Sequence, residues 1–100
     1  MGAEIKKTRP AVVVNDDAVG ILPLKVIVPL TDWKERYTIA PWLVKLEPTV
    51  QNGLSKSSAV DTFQVRSLSQ QRFAKKLGRL TDENMQDISK ALAAVLKITF

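Results

Sequence analysis

The order of the hydrophobic segments predicts a mainly β fold, a small, strongly curved antiparallel sheet or partial barrel closed by a C-terminal helix. Three observations carry this. Short apolar runs broken by Pro, Gly, Asn and Asp come first, one long segment of helical period comes last, and no internal repeat interrupts that order. With 100 residues, the chain is expected to form one domain with a modest core, which an oligomeric partner would help. The 45% hydrophobic and 25% charged residues rule out the sparse, highly charged composition of a disordered chain.

Residues 1–10 show no periodicity and read as a leading loop. Residues 11–15, Ala-Val-Val-Val-Asn, form the first strand, continuous in apolar side chains and so expected to be buried on both faces. Asn15, Asp16 and Asp17 end it through side-chain bonds to local backbone, and residues 18–23 are a loop. Residues 24–30 make the second strand, its far end demoted to an edge or bulge by Pro29. Residues 31–40 are a polar excursion with room for a flexible tip. A third strand over 41–46 alternates around Trp42, Val44 and Leu46, and 47–56 is a Pro- and Gly-containing loop.

A weaker fourth strand is expected over 57–65, then a short helix over 69–77 with Gly78 as its C-cap. Thr81-Asp82-Glu83 is a strong helix start, a capping hydroxyl followed by acids at the positive end of the dipole. The last helix then runs to about Lys97, with Met85, Ile88, Leu92, Val95 and Leu96 as its buried stripe.

A net charge of +5 points to an anionic partner, with nucleic acid ahead of an acidic protein or a membrane surface. The absence of Cys and His removes disulfide, thiolate and imidazole chemistry, so any catalysis falls to carboxylates, hydroxyls, arginine or lysine. No apolar run spans a bilayer and no signal-peptide pattern opens the chain, so a cytoplasmic protein without membrane contact is expected.

The stretch with the most chemical content is Lys6-Lys7-Thr8-Arg9-Pro10 running into the first strand. Pro10 pushes Arg9 toward an extended conformation, which holds a guanidinium at the strand's mouth. Held there, Arg9 suits phosphate recognition; read alone, it is first a solvated charge at a strand end, since most charges are solvated surface. Trp33-Lys34-Glu35-Arg36-Tyr37 interleaves aromatic and charged residues on the tip, either an RNA contact or a charged loop with incidental aromatics.

Residues 7–14 (Lys-Thr-Arg-Pro-Ala-Val-Val-Val), Pro29-Leu30-Thr31, residues 63–68 (Phe-Gln-Val-Arg-Ser-Leu) and residues 78–85 (Gly-Arg-Leu-Thr-Asp-Glu-Asn-Met), in this order and spacing, resemble the MazF/PemK-like toxin family over nearly the whole chain. The resemblance implies an SH3-like small β-barrel with a C-terminal helix and a homodimer. It also implies a metal-independent, cofactor-free endoribonuclease that cuts single-stranded mRNA at short sequences, and a cognate antitoxin whose extended tail inhibits it. Relatives usually begin with a further strand, whereas Met1 here directly precedes Gly2-Ala3-Glu4, so an N-terminally short domain is expected. On that ground a catalytically weak relative that only binds antitoxin or RNA is the alternative reading, and relatives of the fold that act on DNA gyrase give a third.

The family pattern places Glu4, Arg9 and Thr31 at the catalytic positions. Metal-free RNA cleavage needs a base for the 2′-OH proton, positive charge at the phosphate and help for the departing 5′-oxygen. Arg9 would stabilise the charge and Thr31 orient the phosphate or 2′-OH, although a strand-end hydroxyl also caps turns. Glu4 would be the base, a role in which a glutamate needs burial to serve at neutral pH. Lys7, Ser58 and Gln64 are the expected RNA contacts; Gln64 offers both a donor and an acceptor to a base edge. Phe63 stands where the family often has an acid, and reads either as a base-stacking ring or as a core aromatic.

Overall fold

A computed structural model describes residues 9–15 and 23–98. It contains strands β1 (Ala11–Val13), β2 (Leu24–Asp32), β3 (Leu43–Leu46), β4 (Ser58–Asp61) and β5 (Arg66–Ser69), and helix α1 (Asp82–Leu96). Every pairing is antiparallel, and β2 is the strand on which the fold is built. It pairs with β1 along one edge; along the other it pairs first with β5 over Leu24–Ile27 and then with β4 over Leu30–Asp32, and β3 lies outside β4. The sheet is open among the described residues, a curved half-barrel.

Pro29 explains how one strand serves two sheets. It lies between Ile27, the last residue to pair with β5, and Leu30, the first to pair with β4, where the ladder asks for no donor on that edge. The expectation that Pro29 demotes the far end of the strand to an edge or bulge is thus corrected: β2 runs through it to Asp32, paired with β4 over Leu30–Asp32.

The core is Val12, Val28, Leu30, Leu46, Val60 and Ile88, with Met85 and Leu92 of α1 packed against it. The first strand is not buried on both faces as its apolar run implies. Val12 is buried, but Ala11 is exposed and Val13 is 40% exposed, because β1 has one neighbour among the described residues and is an edge.

The expected fourth strand stops at Asp61, whose carboxylate accepts the Phe63 N–H (3.1 Å) and turns the chain through a 3-10 segment at Thr62–Gln64. A further strand, β5, follows at Arg66–Ser69. The helix expected over 69–77 does not form. Pairing with β2 holds Ser67–Ser69 extended, and only a 3-10 turn at Gln70–Arg72 remains before residues 73–80 run on without regular structure.

Gly78 is therefore no helix cap. It lies so close to the backbone of Gln51 and Asn52 that a Cβ would overlap both, and the next residue donates Arg79 N–H to Gln51 O (2.8 Å). The 47–54 loop facing it is organised by buried Asn52. The Asn52 Oδ1 accepts the N–H groups of Thr49 and Leu54 (both 3.0 Å), and its Nδ2 donates to Glu47 O (2.8 Å).

α1 starts and ends where the sequence places it. Thr81 Oγ1 accepts the Asn84 N–H (3.0 Å), Asp82 and Glu83 occupy the first turn, and Ile88 and Ala91 are buried. Leu96, expected in the stripe, is 53% exposed, whereas Ala91, outside the expected stripe, is buried. Lys97 closes the helix at φ 58°, in the left-handed region, with Ile98 N–H bonded to Ala93 O (2.8 Å). Thr81→Ala should cost about 1 kcal/mol through loss of the cap. Lys97→Gly should stabilise by about 1 kcal/mol through relief of the left-handed penalty. Shifts of the urea midpoint in opposite directions would show both. No helix among the described residues is long and apolar enough to cross a membrane.

Candidate functional site

The strand register brings Arg9 and Thr31 together. Ala11 lies opposite Pro29, Val12 opposite Val28 and Val13 opposite Ile27, and Leu30 N–H bonds to Pro10 O (3.1 Å). Continued by one residue, the pairing puts Arg9 directly across from Thr31. Since Pro10 and Leu30 share the inter-strand bond, Arg9 and Thr31 form the next, non-hydrogen-bonded pair, in which Cα atoms approach to about 4.5 Å and side chains are nearest. Arg9 is exposed and makes no ion pair among the described residues.

Thr31 in turn lies opposite Ala59 of β4, and Ala59 opposite Lys45 of β3. Alternation along each strand then sets the face. Thr31 and Trp33 share it with Ala59 and Asp61 and with Lys45, while Leu30, Val60 and Val44 point into the core. The Lys45 ammonium lies over the Trp33 ring (5.1 Å to its centroid), the Tyr37 ring meets Trp33 edge-on at 5.7 Å, and the Arg36 guanidinium sits 5.6 Å from the Tyr37 ring. The tip with room for flexibility is thus a 3-10 segment, Glu35–Ile39, whose Arg36 and Tyr37 extend a stack of two rings between two cations, Lys45, Trp33, Tyr37 and Arg36 in that order. Trp33 Nε1 is buried with no hydrogen-bond partner among the described residues, an uncommon state for an indole donor.

The other expected contacts divide. Gln64 is exposed at the end of β4 and its Nε2 donates to Asp61 Oδ2 (2.9 Å), which ties it to the Thr31 face. Ser58 is buried beside Leu46 on the opposite face, its hydroxyl donating to Lys56 O (3.1 Å), so the register separates it from Arg9 and Thr31. Glu4 and Lys7 lie outside the described residues, as does the segment that bears on an N-terminally short domain. Phe63 is no core aromatic: it is 64% exposed and packs edge-on against Trp42 at 5.6 Å. Lys45 is a cation that no sequence motif singles out. Its strand reads as ordinary alternation, and only the β3–β4 register brings it to Trp33.

The arrangement offers a guanidinium for a phosphate, a hydroxyl across from it, and a row of rings and cations along which bases can stack. A family model described as PemK-like, MazF-like toxin of type II toxin-antitoxin system matches residues 1–96. A protein of Mycolicibacterium smegmatis, probable endoribonuclease MazF, is 31% identical over 98 residues, covering 97% of this chain and 87% of its own.

Among solved structures, the Mycobacterium tuberculosis toxin MazF-mt6 superposes with a TM-score of 0.79 at 17% identity, covering 95% of this chain and 92% of its own. The MazE–MazF complex of Deinococcus radiodurans gives 0.74 at 26% identity, covering 91% and 84%. A mycobacterial endoribonuclease in complex with its cognate antitoxin gives 0.75 at 24% identity, covering 92% and 84%.

Proposed function

This chain belongs to the family of PemK-like, MazF-like toxins of type II toxin–antitoxin systems, and from that premise we propose that it is a sequence-specific, metal-independent endoribonuclease that cuts single-stranded mRNA. The observation that carries the reading is the pairing of Arg9 with Thr31 across β1 and β2, on the face that also holds Trp33 and Lys45. In this reaction the 2′-oxygen attacks the adjacent phosphorus, its proton passes to a base, the bond from phosphorus to the 5′-oxygen breaks, and that oxygen takes up a proton from water. The products are a 2′,3′-cyclic phosphate and a 5′-hydroxyl.

Arg9 neutralises the charge that gathers on the phosphorane oxygens, and the Thr31 hydroxyl holds the phosphate or the 2′-OH in line. Glu4 is the base. Gln64, Lys7 and the rings of the tip hold the flanking nucleotides. The protein works as a homodimer and is held inactive by a cognate antitoxin; complexes of its structural neighbours support the antitoxin as a partner. It acts in the cytoplasm, where mRNA is.

Incubating the purified protein with a long single-stranded RNA in the presence of a chelator tests the reading. Discrete fragments ending in 2′,3′-cyclic phosphate are expected. Intact RNA that the protein nevertheless retards on a gel would replace the enzyme with a binding module. Thr31→Val, which keeps the shape and removes the hydroxyl, should slow single-turnover cleavage by about tenfold to a hundredfold, the worth of one hydrogen bond to a charged group. RNA affinity should change little. A rate within twofold of the parent would remove Thr31 from the mechanism.

A further inference from the structure

Asn52-Gly53 is the one place in the sequence where an asparagine precedes a glycine; the other two asparagines, Asn15 and Asn84, precede Asp16 and Met85. The pair carries a chemistry that uses no other side chain. The backbone nitrogen of Gly53 attacks Asn52 Cγ and closes a five-membered imide ring; the Gly53 N–H proton goes to water, and Asn52 Nδ2 takes up a proton and leaves as ammonia. One water then opens the ring at Cγ, giving aspartate, or at the main-chain carbonyl, giving isoaspartate, whose main chain is one carbon longer. Glycine favours the closure because no Cβ shields its nitrogen or restricts its backbone.

The folded turn blocks each step. Attack needs Cγ to swing over the Gly53 nitrogen, and Cγ is held by both of its polar atoms: Oδ1 accepts the N–H groups of Thr49 and Leu54 (both 3.0 Å), and Nδ2 donates to Glu47 O (2.8 Å). The Asn52 N–H donates to Thr49 Oγ1 (3.0 Å), which fixes the residue from its main-chain side. The Gly53 N–H donates to Thr49 O (3.1 Å), so the attacking nitrogen keeps its proton in a bond. Yet the turn lies at the surface. Asn52 is buried, but Thr49, Val50, Gln51 and Gly53 around it are exposed, so these bonds can open without unfolding the core.

We propose that Asn52 is a deamidation site, which the closed turn keeps unreacted and which reacts, once and irreversibly, in chains whose turn has opened. The reacted turn does not reclose as before. Aspartate sets an oxygen in place of Nδ2 against Glu47 O, where two acceptors meet, and isoaspartate displaces Gly53 by one main-chain carbon. The contact there has no slack: Gly53, at φ 68°, lies against Leu77 O, and Gly78 lies against Gln51 and Asn52, with no room for a Cβ on either glycine. Residues 77–79 then lose the surface on which they rest. The turn is a one-way device that marks a chain for having opened and holds it less stable afterwards. The proposal does not rest on the nuclease reading.

The test ages the full chain in buffer and in concentrated urea and follows the peptide containing Asn52 by mass spectrometry, with fragmentation that separates aspartate from isoaspartate. In urea, Asn52 should react about tenfold or more faster than Asn15 or Asn84. In buffer it should react about a hundredfold more slowly than in urea, since three hydrogen bonds, at roughly a factor of five each, must break before Cγ can move. That slowing should match, within about threefold, the protection of the Leu54 amide against hydrogen exchange, because both need the same opening. Thr49→Ala, which removes the acceptor of the Asn52 N–H, should speed the reaction in buffer about fivefold and leave it unchanged in urea. The isoaspartate chain, separated and refolded, should have a lower urea midpoint than the unreacted chain and exchange its Arg79 amide about tenfold faster.

Equal rates in buffer and in urea, or faster reaction at Asn15 or Asn84 in urea, would overturn the assignment of the site. A reacted chain with the parental urea midpoint and parental Arg79 exchange would overturn the one-way device. The comparison of the parent chain in buffer and in urea decides the first point even where Thr49→Ala fails to fold. No RNA enters these measurements, so failure of the nuclease reading leaves them standing, and their failure leaves the nuclease reading standing.

Discussion

Arg9→Ala is expected to give a folded protein that cleaves single-stranded RNA on the order of 10²–10³-fold more slowly than the parent, the usual cost of removing one preorganised donor from a developing oxyanion. The fold should survive because Arg9 is exposed, contributes to no ion pair among the described residues, and precedes Pro10, whose ring keeps the strand mouth extended. Its position opposite Thr31 makes the loss chemical. A phosphate seated at that pair would meet a hydroxyl alone, and the negative charge of the pentavalent state would have no cation within the pair.

Arg9→Lys should recover part of the rate, since it restores the charge without the planar fork. Single-turnover cleavage of a fluorogenic RNA, read beside thermal unfolding, separates these outcomes. A folded Arg9→Ala protein that cuts at the parental rate would refute the role assigned to this residue.

Asn52→Ala should be the most destabilising single change in the loops. The Asn52 side chain is 7% exposed and satisfies three backbone groups, the N–H of Thr49, the N–H of Leu54 and the C=O of Glu47. Removing it strands all three where water reaches them poorly, at about 1 kcal/mol or more each, for a total of roughly 3 kcal/mol. At about 4–8 °C per kcal/mol for a chain of this size, the melting temperature should fall by about 12–24 °C.

The loss should spread, because residues 77–79 pack against the Asn52 turn. Gly53 sits at φ 68°, where a Cβ would meet Leu77 O; Gly78 faces Gln51 and Asn52; and Arg79 N–H bonds to Gln51 O. Asn52→Asp keeps an oxygen that can accept both N–H groups but loses the donor to Glu47 O, and should fall between parent and alanine. A drop of less than 3 °C for Asn52→Ala would mean that the loop is held by something other than this side chain.

Where local chemistry acts alone, the sequence was a sound guide. Thr81 with Asp82 and Glu83 marks the start of α1 because a capping hydroxyl and a favourable dipole need nothing from the rest of the fold. The run after Pro10 is a strand because its residues favour extended backbone. The failures share another cause. Residues 69–77 have the composition of a helix, but Ser69 is paired with Leu24 and Gly78 is pressed against Gln51, so tertiary contacts override propensity. Pro29 reads as the mark of an edge or bulge, and only the change of partner from β5 to β4 leaves a place where a missing N–H goes unnoticed.

The candidate site divides in the same way. The sequence by itself determined the chemistry available: an arginine held extended by the following proline, a threonine at the far end of the next strand, and no imidazole or thiol among the residues. These follow from side-chain identity and from the steric restriction that Pro10 imposes on its neighbour. Only the tertiary structure decided which residues meet. Arg9 faces Thr31 because of the β1–β2 register, and Lys45 reaches Trp33 because of the β3–β4 register. Ser58 turns away from both because it sits one residue out of phase with Ala59. A shift of one residue in pairing moves a side chain to the opposite face, and nothing local to these residues encodes that shift.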